Sequence, residues 1–231
     1  MKLLSKHSHE QQIAVLQQLL VNAANAERAA GAKAYMKNHF EFLGIPMPER
    51  RRNCKEWIRS LSIVDEQHLV VLVENLWKLN EREYQYGAIE LLAFHKKLWS
   101  KNTIDLMEQC IVSKSWWDTV DFIAAEWCGP YFQVFPDLIN KRTAAWNRSE
   151  NIWLQRSSLL FQKSYKKATD LKLLSKYIEH LANSKEFFIR KAIGWVLREY
   201  AKTDAVWVQD FVNTHTLSPL SEREALKHVG K

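Results

Sequence analysis

Leu69, Leu72, Val73, Leu76 and Trp77 recur at steps of three and four residues, the spacing that puts them on one face of an α-helix. Leu171, Leu174, Tyr177, Ile178 and Leu181 repeat the pattern, and Ile89, Leu92 and Ala93 give a shorter version of it. Each such segment is amphipathic and has an apolar stripe to bury against a neighbour. No convincing run of alternating β-branched residues marks a strand. The whole chain contains six glycines and five prolines, so long segments run without a helix breaker.

The breakers that are present punctuate the pattern. Gly44-Ile45-Pro46-Met47-Pro48 separates an N-terminal helix from the one holding Cys54 and Trp57, and Gly129-Pro130 predicts a second break. Pro136 suits the first turn of a helix that continues through Leu138 and Ile139. Ser115 with Asp118 and Ser221 with Glu224 have the spacing of capping boxes. Ser100 or Asn102 is placed to cap a helix running from Met107 to Val112. About a dozen helices with short connections result, and helix pairs recur at roughly 35–45 residues, the range of HEAT-like repeats. The predicted fold is all-α, with HEAT-like helical repeats stacked in a curved solenoid that carries a concave basic cleft. An irregular helical bundle satisfies the same periodicity. No interdomain linker stands out, so residues 1–231 are expected to form a single domain.

Composition narrows the picture. A chain of 231 residues with 47% hydrophobic and 26% charged residues is ordinary for a globular protein with a substantial core. The net charge of +7 points mildly to a polyanionic partner. Cys54, Cys110 and Cys128 are few, odd in number and far apart, which suits reduced thiols in a cytoplasmic compartment. They form no pattern with metal-ligand spacing, so neither a metal nor a cofactor is expected. Met1–His7 holds no long apolar segment, so no secretory signal is expected, and nothing reaches the length of a membrane span. P-loop, dinucleotide-binding, zinc-protease and Ser-hydrolase motifs are absent. So is the His-x-Glu and Pro-Cys-x-x-Cys pattern of the zinc deaminases. His39, His95 and His180 look like ordinary helix residues.

The candidate chemistry lies in Ser115-Trp116-Trp117-Asp118-Thr119-Val120-Asp121. Trp117 and Asp121 are one helical turn apart, which sets an electron-rich indole beside a carboxylate, a pairing suited to a cation. Asp118 is explained as a carboxylate in a helical first turn. Asp121 is deeper in the helix, where its plain alternative is an ion pair with a basic neighbour. Arg156 has the planar fork that suits a phosphate. Trp195 follows Gly194, a mid-helix glycine that calls for either close helix packing or room for a ligand. Ten tryptophans exceed what a core of this size needs, so some are expected on a binding surface.

These residues, in this order, resemble the alkylpurine DNA glycosylases of the AlkD type, members of the HEAT-like repeat superfamily. The stretches that carry the resemblance are 35–40 (YMKNHF), 48–51 (PERR), 114–121 (KSWWDTVD), 151–156 (NIWLQR) and 184–200 (SKEFFIRKAIGWVLREY). They extend over nearly the whole chain. The resemblance implies hydrolytic excision of N3- or N7-alkylated purines, such as 3-methyladenine and 7-methylguanine, from double-stranded DNA. It implies that Trp117 and Trp195 line the lesion site, that Asp121 is the essential carboxylate, and that Arg156 contacts the DNA backbone. Tyr35 matches a position near the cleft, and Lys185, Arg190 and Arg198 are further candidates for DNA contact. Pro46 stands where relatives are expected to have a polar residue, which weakens any inference about contacts from that loop. The expected protein is a bacterial, cytoplasmic monomer that meets its substrate at the nucleoid and involves no membrane. The alternatives are a DNA-binding relative without catalysis and a protein-interaction scaffold. The joint presence of Asp121, Trp117 and Trp195 favours an enzyme.

Overall fold

A computed structural model of the chain describes residues 8–229, so the reading of Met1–His7 lies outside the described residues. Among those residues the regular structure is helical, apart from an isolated bridge between Glu41 and Glu81. No helix among them is long and apolar enough to cross a membrane. The chain divides into two compact units, Met1–Asn102 and Thr103–Lys231.

The first unit contains α1 (His9–Asn22), α2 (Ala26–Tyr35), α3 (Met47–Ser60), α4 (Glu66–Lys78) and α5 (Arg82–Phe94). Helix α4 buries Leu69, Leu72, Val73, Leu76 and Trp77 together, the full stripe that the spacing predicts. Asp65 starts it by accepting the His68 N–H at 2.8 Å. Helix α1 packs on α3 and α4, and both of these pack on α5. The expected break falls between α2 and α3 at Gly44, Ile45 and Pro46, while Met47 and Pro48 already belong to the first turn of α3. Gly44 is required there: its φ is +79°, and a Cβ would meet the Asn25 carbonyl oxygen at 2.2 Å. The buried Glu83 carboxylate holds this loop by accepting the N–H groups of Leu43, Gly44 and Ile45 at 3.0, 2.8 and 3.3 Å. Beside it the buried Arg82 guanidinium stacks 3.8 Å from the Phe40 ring. His39 lies in the bend that follows α2 rather than in a helix.

The second unit begins with α6 (Thr103–Val112) and α7 (Trp117–Phe122). A π-helical segment (Ile123–Cys128) leads directly into α8 (Gly129–Val134), and a 3-10 turn from Pro136 leads into α9 (Ile139–Asn147). Then come α10 (Ile152–Leu160), α11 (Leu171–Leu181), α12 (Phe187–Ala201), α13 (Ala205–Thr214) and α14 (Pro219–Ala225). Helix α10 is central: it packs on α6, α7, α9, α11 and α12 and buries Arg156, Ser157, Ser158, Leu159 and Leu160. In both units helices two apart in the chain touch, as α3 does α5, α9 does α11, α10 does α12 and α12 does α14. That contact pattern belongs to an all-α fold of HEAT-like repeats, in which each helix pair stacks on the next.

Three local expectations need correction. Gly129-Pro130 does not break the chain. Proline in a regular helix clashes with the carbonyl four residues back. Here the ladder opens to i→i+5 bonding just before it, with the Gly129 N–H on the Ala124 carbonyl. Ser115 does not cap α7; Trp116 holds that place in an extended conformation without a side-chain cap, and the Ser115 hydroxyl donates to the Ile111 carbonyl at 2.6 Å. Ser221 is inside α14, not before it. Ser218 is the cap, accepting the Ser221 N–H at 3.2 Å with Pro219 in the first turn, the stronger of the two start signals.

Gly194 has a packing role. A Cβ on it would lie 2.5 Å from the Glu224 Cβ and 2.7 Å from the Ser221 carbonyl oxygen, so α12 and α14 meet as closely as glycine alone allows. Gly31, in the middle of α2, has nothing within 4 Å of the same position. Gly194→Ala is therefore expected to destabilise by about 1–3 kcal/mol through overpacking. Gly31→Ala is expected to stabilise by about 0.5–1 kcal/mol through helix propensity. Urea unfolding of the two variants beside wild type measures both.

Candidate active site

The site is assembled in the second unit from α7, α10 and α12. After the extended Trp116, the Val120 N–H bonds to the Trp116 carbonyl at 3.0 Å and opens α7, with Trp117 as its first residue. Asp121 follows one turn later. The π-helical segment begins two residues beyond it and buries Ile123, Ala124, Ala125, Trp127 and Cys128, which anchors the end of α7 in the core. Segments of this kind recur at functional sites because their wide turn redirects side chains.

Asp121 is met by Arg156 from α10. Nε and Nη2 donate to Oδ1 and Oδ2 at 2.6 and 2.8 Å, a bidentate pair, and Nη1 donates to the Phe188 carbonyl. The side chains of Arg156 and Asp121 are 5% and 12% exposed. Asp121 thus keeps slightly more of its surface than Arg156. Burial pushes the Asp121 carboxyl above its ordinary 3.8; the hydrogen bonds and charge of Arg156 and the charge of Lys163 pull it back, and Asp118 adds to the push. Three rings cluster with one another: Phe188 lies 5.0 Å from both Trp116 and Trp153, and those two indoles are 5.7 Å apart. The Arg156 guanidinium carbon is 5.9 Å from the Phe188 centroid.

Trp195, half-buried on α12, already carries a cation. The Lys163 ammonium stands 4.1 Å from its ring centroid. Trp117 is half-buried as well. The ten tryptophans divide accordingly. Trp57, Trp77, Trp99, Trp127 and Trp146 are core residues, whereas Trp116, Trp117, Trp153, Trp195 and Trp207 keep part of their surface.

The basic candidates separate. Arg156 is buried as the partner of Asp121, with Nε, Nη1 and Nη2 each giving a hydrogen bond to that carboxylate or to the Phe188 carbonyl. Arg198 is paired with Glu224 of α14 at 2.7 Å, and Lys191 joins the same carboxylate at 2.9 Å, so both serve the α12–α14 contact. Arg190 turns back to donate from Nη2 to the Lys185 carbonyl at 2.8 Å. Lys185 is exposed just before α12. Tyr35, 70% exposed, ends α2 in the first unit. Trp153, Phe188 and Lys163 were not singled out from the sequence, although Trp153 and Phe188 lie inside two of the stretches that carry the resemblance. The cysteines are buried thiols; burial, aided by the charge of Glu90, raises Cys54 to about 12, which is unsuited to a nucleophile.

The chain is a member of the DNA alkylation repair enzyme family, whose model matches residues 16–229. A predicted DNA alkylation repair enzyme from Enterococcus faecalis is 35% identical over 90% of this chain and 97% of its own, with a TM-score of 0.85. AlkD2 from Streptococcus mutans shares the fold at 14% identity, with a TM-score of 0.66 over 97% of this chain and 100% of its own. The smu.31 protein of Streptococcus mutans UA159 does so at 14% identity, with a TM-score of 0.60 over 79% and 92%. No curated protein matches the chain.

Removing one side of a buried pair leaves the other charge without compensation, a loss of about 3–5 kcal/mol. Arg156→Ala is expected to destabilise on that scale. Lys202→Ala, which deletes an exposed i,i+3 pair with Glu199 (2.6 Å), is expected to change stability by less than about 1 kcal/mol. Urea titrations of both variants at neutral pH make the comparison.

Proposed function

We propose that the protein is a monofunctional DNA glycosylase that hydrolyses the N-glycosidic bond of cationic N3- and N7-alkylated purines in duplex DNA. The observation that carries this reading is the pairing of an indole face already holding a cation, Lys163 on Trp195 at 4.1 Å, with a carboxylate that Arg156 fixes in place.

Alkylation at N3 or N7 gives the purine a formal positive charge, so the base departs without protonation by a general acid. One carboxylate then suffices where glycosidases generally use two. As the bond breaks, positive charge moves onto the deoxyribose. Asp121 stabilises that oxocarbenium-like state and orients the attacking water. The bidentate arrangement engages one lone pair on each carboxylate oxygen and leaves others for sugar and water. Arg156 holds the carboxylate and opposes the upward push of burial on its carboxyl group; its role is positioning. Trp117 and Trp195 offer π faces to the cation, each worth roughly 0.5–2 kcal/mol. Lys185 and Tyr35 remain candidates for DNA contact, with salt-dependent binding in the case of Lys185.

Selectivity should follow the charge of the lesion. Duplexes with 7-methylguanine or 3-methyladenine are expected to lose the base, revealed by strand scission in alkali. Duplexes with hypoxanthine or 1,N6-ethenoadenine, which leave poorly without protonation, are expected to remain intact. Efficient hypoxanthine release would contradict the missing acid, and no release from either cationic lesion would contradict the glycosylase assignment itself.

A further inference from the structure

Helices α11 and α13 form an open groove that takes no part in the chemistry of α7, α10 and α12. Its volume is about 310 Å³, and it is lined by Leu171, Lys172, Ser175, Lys176 and Glu179 of α11 and by Trp207 of α13. The indole is held at a fixed angle. Tyr200 meets it edge-on, with centroids 5.4 Å apart and planes at 86°, and Phe211 stacks on it at 5.1 Å and 22°. Trp207 is nonetheless only half-buried, so part of a ring oriented by two neighbours is left for a ligand. The core does not need that surface, because Val208, Phe211 and Val212 are the buried residues of α13.

The rim is positive. Lys172 and Lys176 are exposed, and among the described residues neither closes an ion pair. They are one helical turn apart, a spacing at which like charges repel, and an anion between them relieves that repulsion. Glu179, the acid in the lining, is met by His215, whose Nε2 is 3.2 Å from Oε1. The lysines call for an anion and the indole calls for a flat apolar body. A phosphate carries about −1.5 to −2 charges and three acceptor oxygens, which suits two ammonium groups; a carboxylate is matched best by an arginine fork, and the groove has none. A nucleobase suits the indole, because stacking on an aromatic side chain accepts any base. The volume is at the small end of ligand sites and has room for one nucleotide.

We propose that the α11–α13 groove binds a single 5′-phosphorylated nucleotide, its base laid on Trp207 and its phosphate between Lys172 and Lys176. The nucleotide is free or is the 5′ end of a strand, and the recognition chemistry is the same for both.

Calorimetric titration of the full chain with adenosine 5′-monophosphate, adenosine and inorganic phosphate tests this. Wild type is expected to bind the monophosphate at least ~10-fold tighter than either of its halves, since stacking and charge act together. Lys172→Ala/Lys176→Ala is expected to weaken the monophosphate at least ~10-fold, whereas Lys96→Ala/Lys97→Ala, which removes two exposed lysines of the first unit, is expected to change it less than about two-fold. Trp207→Phe keeps a ring and is expected to stay within about three-fold of wild type, while Trp207→Leu loses about ten-fold. Trp207 also touches Tyr200 and Phe211, so a circular dichroism melt accompanies its variants, and the exposed lysine pair decides if Trp207→Leu fails to fold. A short oligonucleotide with a 5′-phosphate, beside the same one with a 5′-hydroxyl, separates the sources. Tight binding of the phosphorylated oligonucleotide assigns the groove to a strand end, and its exclusion while the monophosphate binds assigns it to a free nucleotide. No binding of the monophosphate overturns the proposal, as do equal affinity for phosphate alone and wild-type affinity in Lys172→Ala/Lys176→Ala. A glutamate-rich peptide that binds through the two lysines where the monophosphate does not overturns it as well. Wild-type protein that binds the monophosphate but releases no 7-methylguanine would sink the glycosylase reading and leave the nucleotide site standing.

Discussion

The bidentate bond between Asp121 and Arg156 is the contact on which the second unit's chemistry depends. A carboxylate with 12% of its side chain exposed is pushed toward its neutral form by burial, and a neutral acid is of no use to a departing cation. Arg156 opposes that push and fixes the orientation of the carboxylate at the same time. It can do so because α10 is packed between α6, α7, α9, α11 and α12 and because the Phe188 carbonyl takes the third arm of the fork. Phe188, packed against the Trp116 and Trp153 rings, lies beside the guanidinium, its ring centroid 5.9 Å from the central carbon. The fold thus places a carboxylate paired with an arginine in a partly dry setting, where charges act strongly on one another.

On the proposed glycosylase reading, the same pair explains how a chain without metal-ligand patterns or an activated thiol would carry a hydrolytic reaction. In that reading the alkylation itself turns the base into a good leaving group beforehand. What remains for the protein is to accept a cation and supply an oriented water, which asks for one anion and π faces rather than a set of acids and bases. A buried arginine in such a place is a structural cost of keeping the anion ready.

Much of the fold was legible because helices write their core faces at fixed spacing. Leu69 through Trp77 and Leu171 through Leu181 are such cases, and each stripe is buried where the period puts it, Leu171 itself excepted. Helix ends were less legible. Ser115 and Ser221 have the right residue types three before an acid, but Ser218-Pro219 and the extended Trp116 determine where the helices begin. Gly129-Pro130 reads locally as a break, yet the approach of the Phe161 carbonyl, 2.7 Å from where a Cβ would be, explains the glycine, and the widened π turn absorbs the proline. Within the site, Trp117 and Asp121 were visible because one helical turn joins them. The partner of Asp121 is 35 residues away in the chain and the lysine on Trp195 is 32 away, and local pattern carries no information about such contacts. The resemblance identified Arg156 as important, and the geometry adds a bond to Asp121 that the sequence did not show.

The central claim is that the Asp121 carboxylate acts on the breaking bond and not on DNA affinity. The direct measurement is the single-turnover rate of 7-methylguanine release by Asp121→Asn, an isosteric change that removes the charge, alongside its affinity for the same duplex. The account predicts a rate at least ~100-fold below wild type with binding nearly intact. A variant that excises at the wild-type rate would remove Asp121 from the reaction and contradict the account.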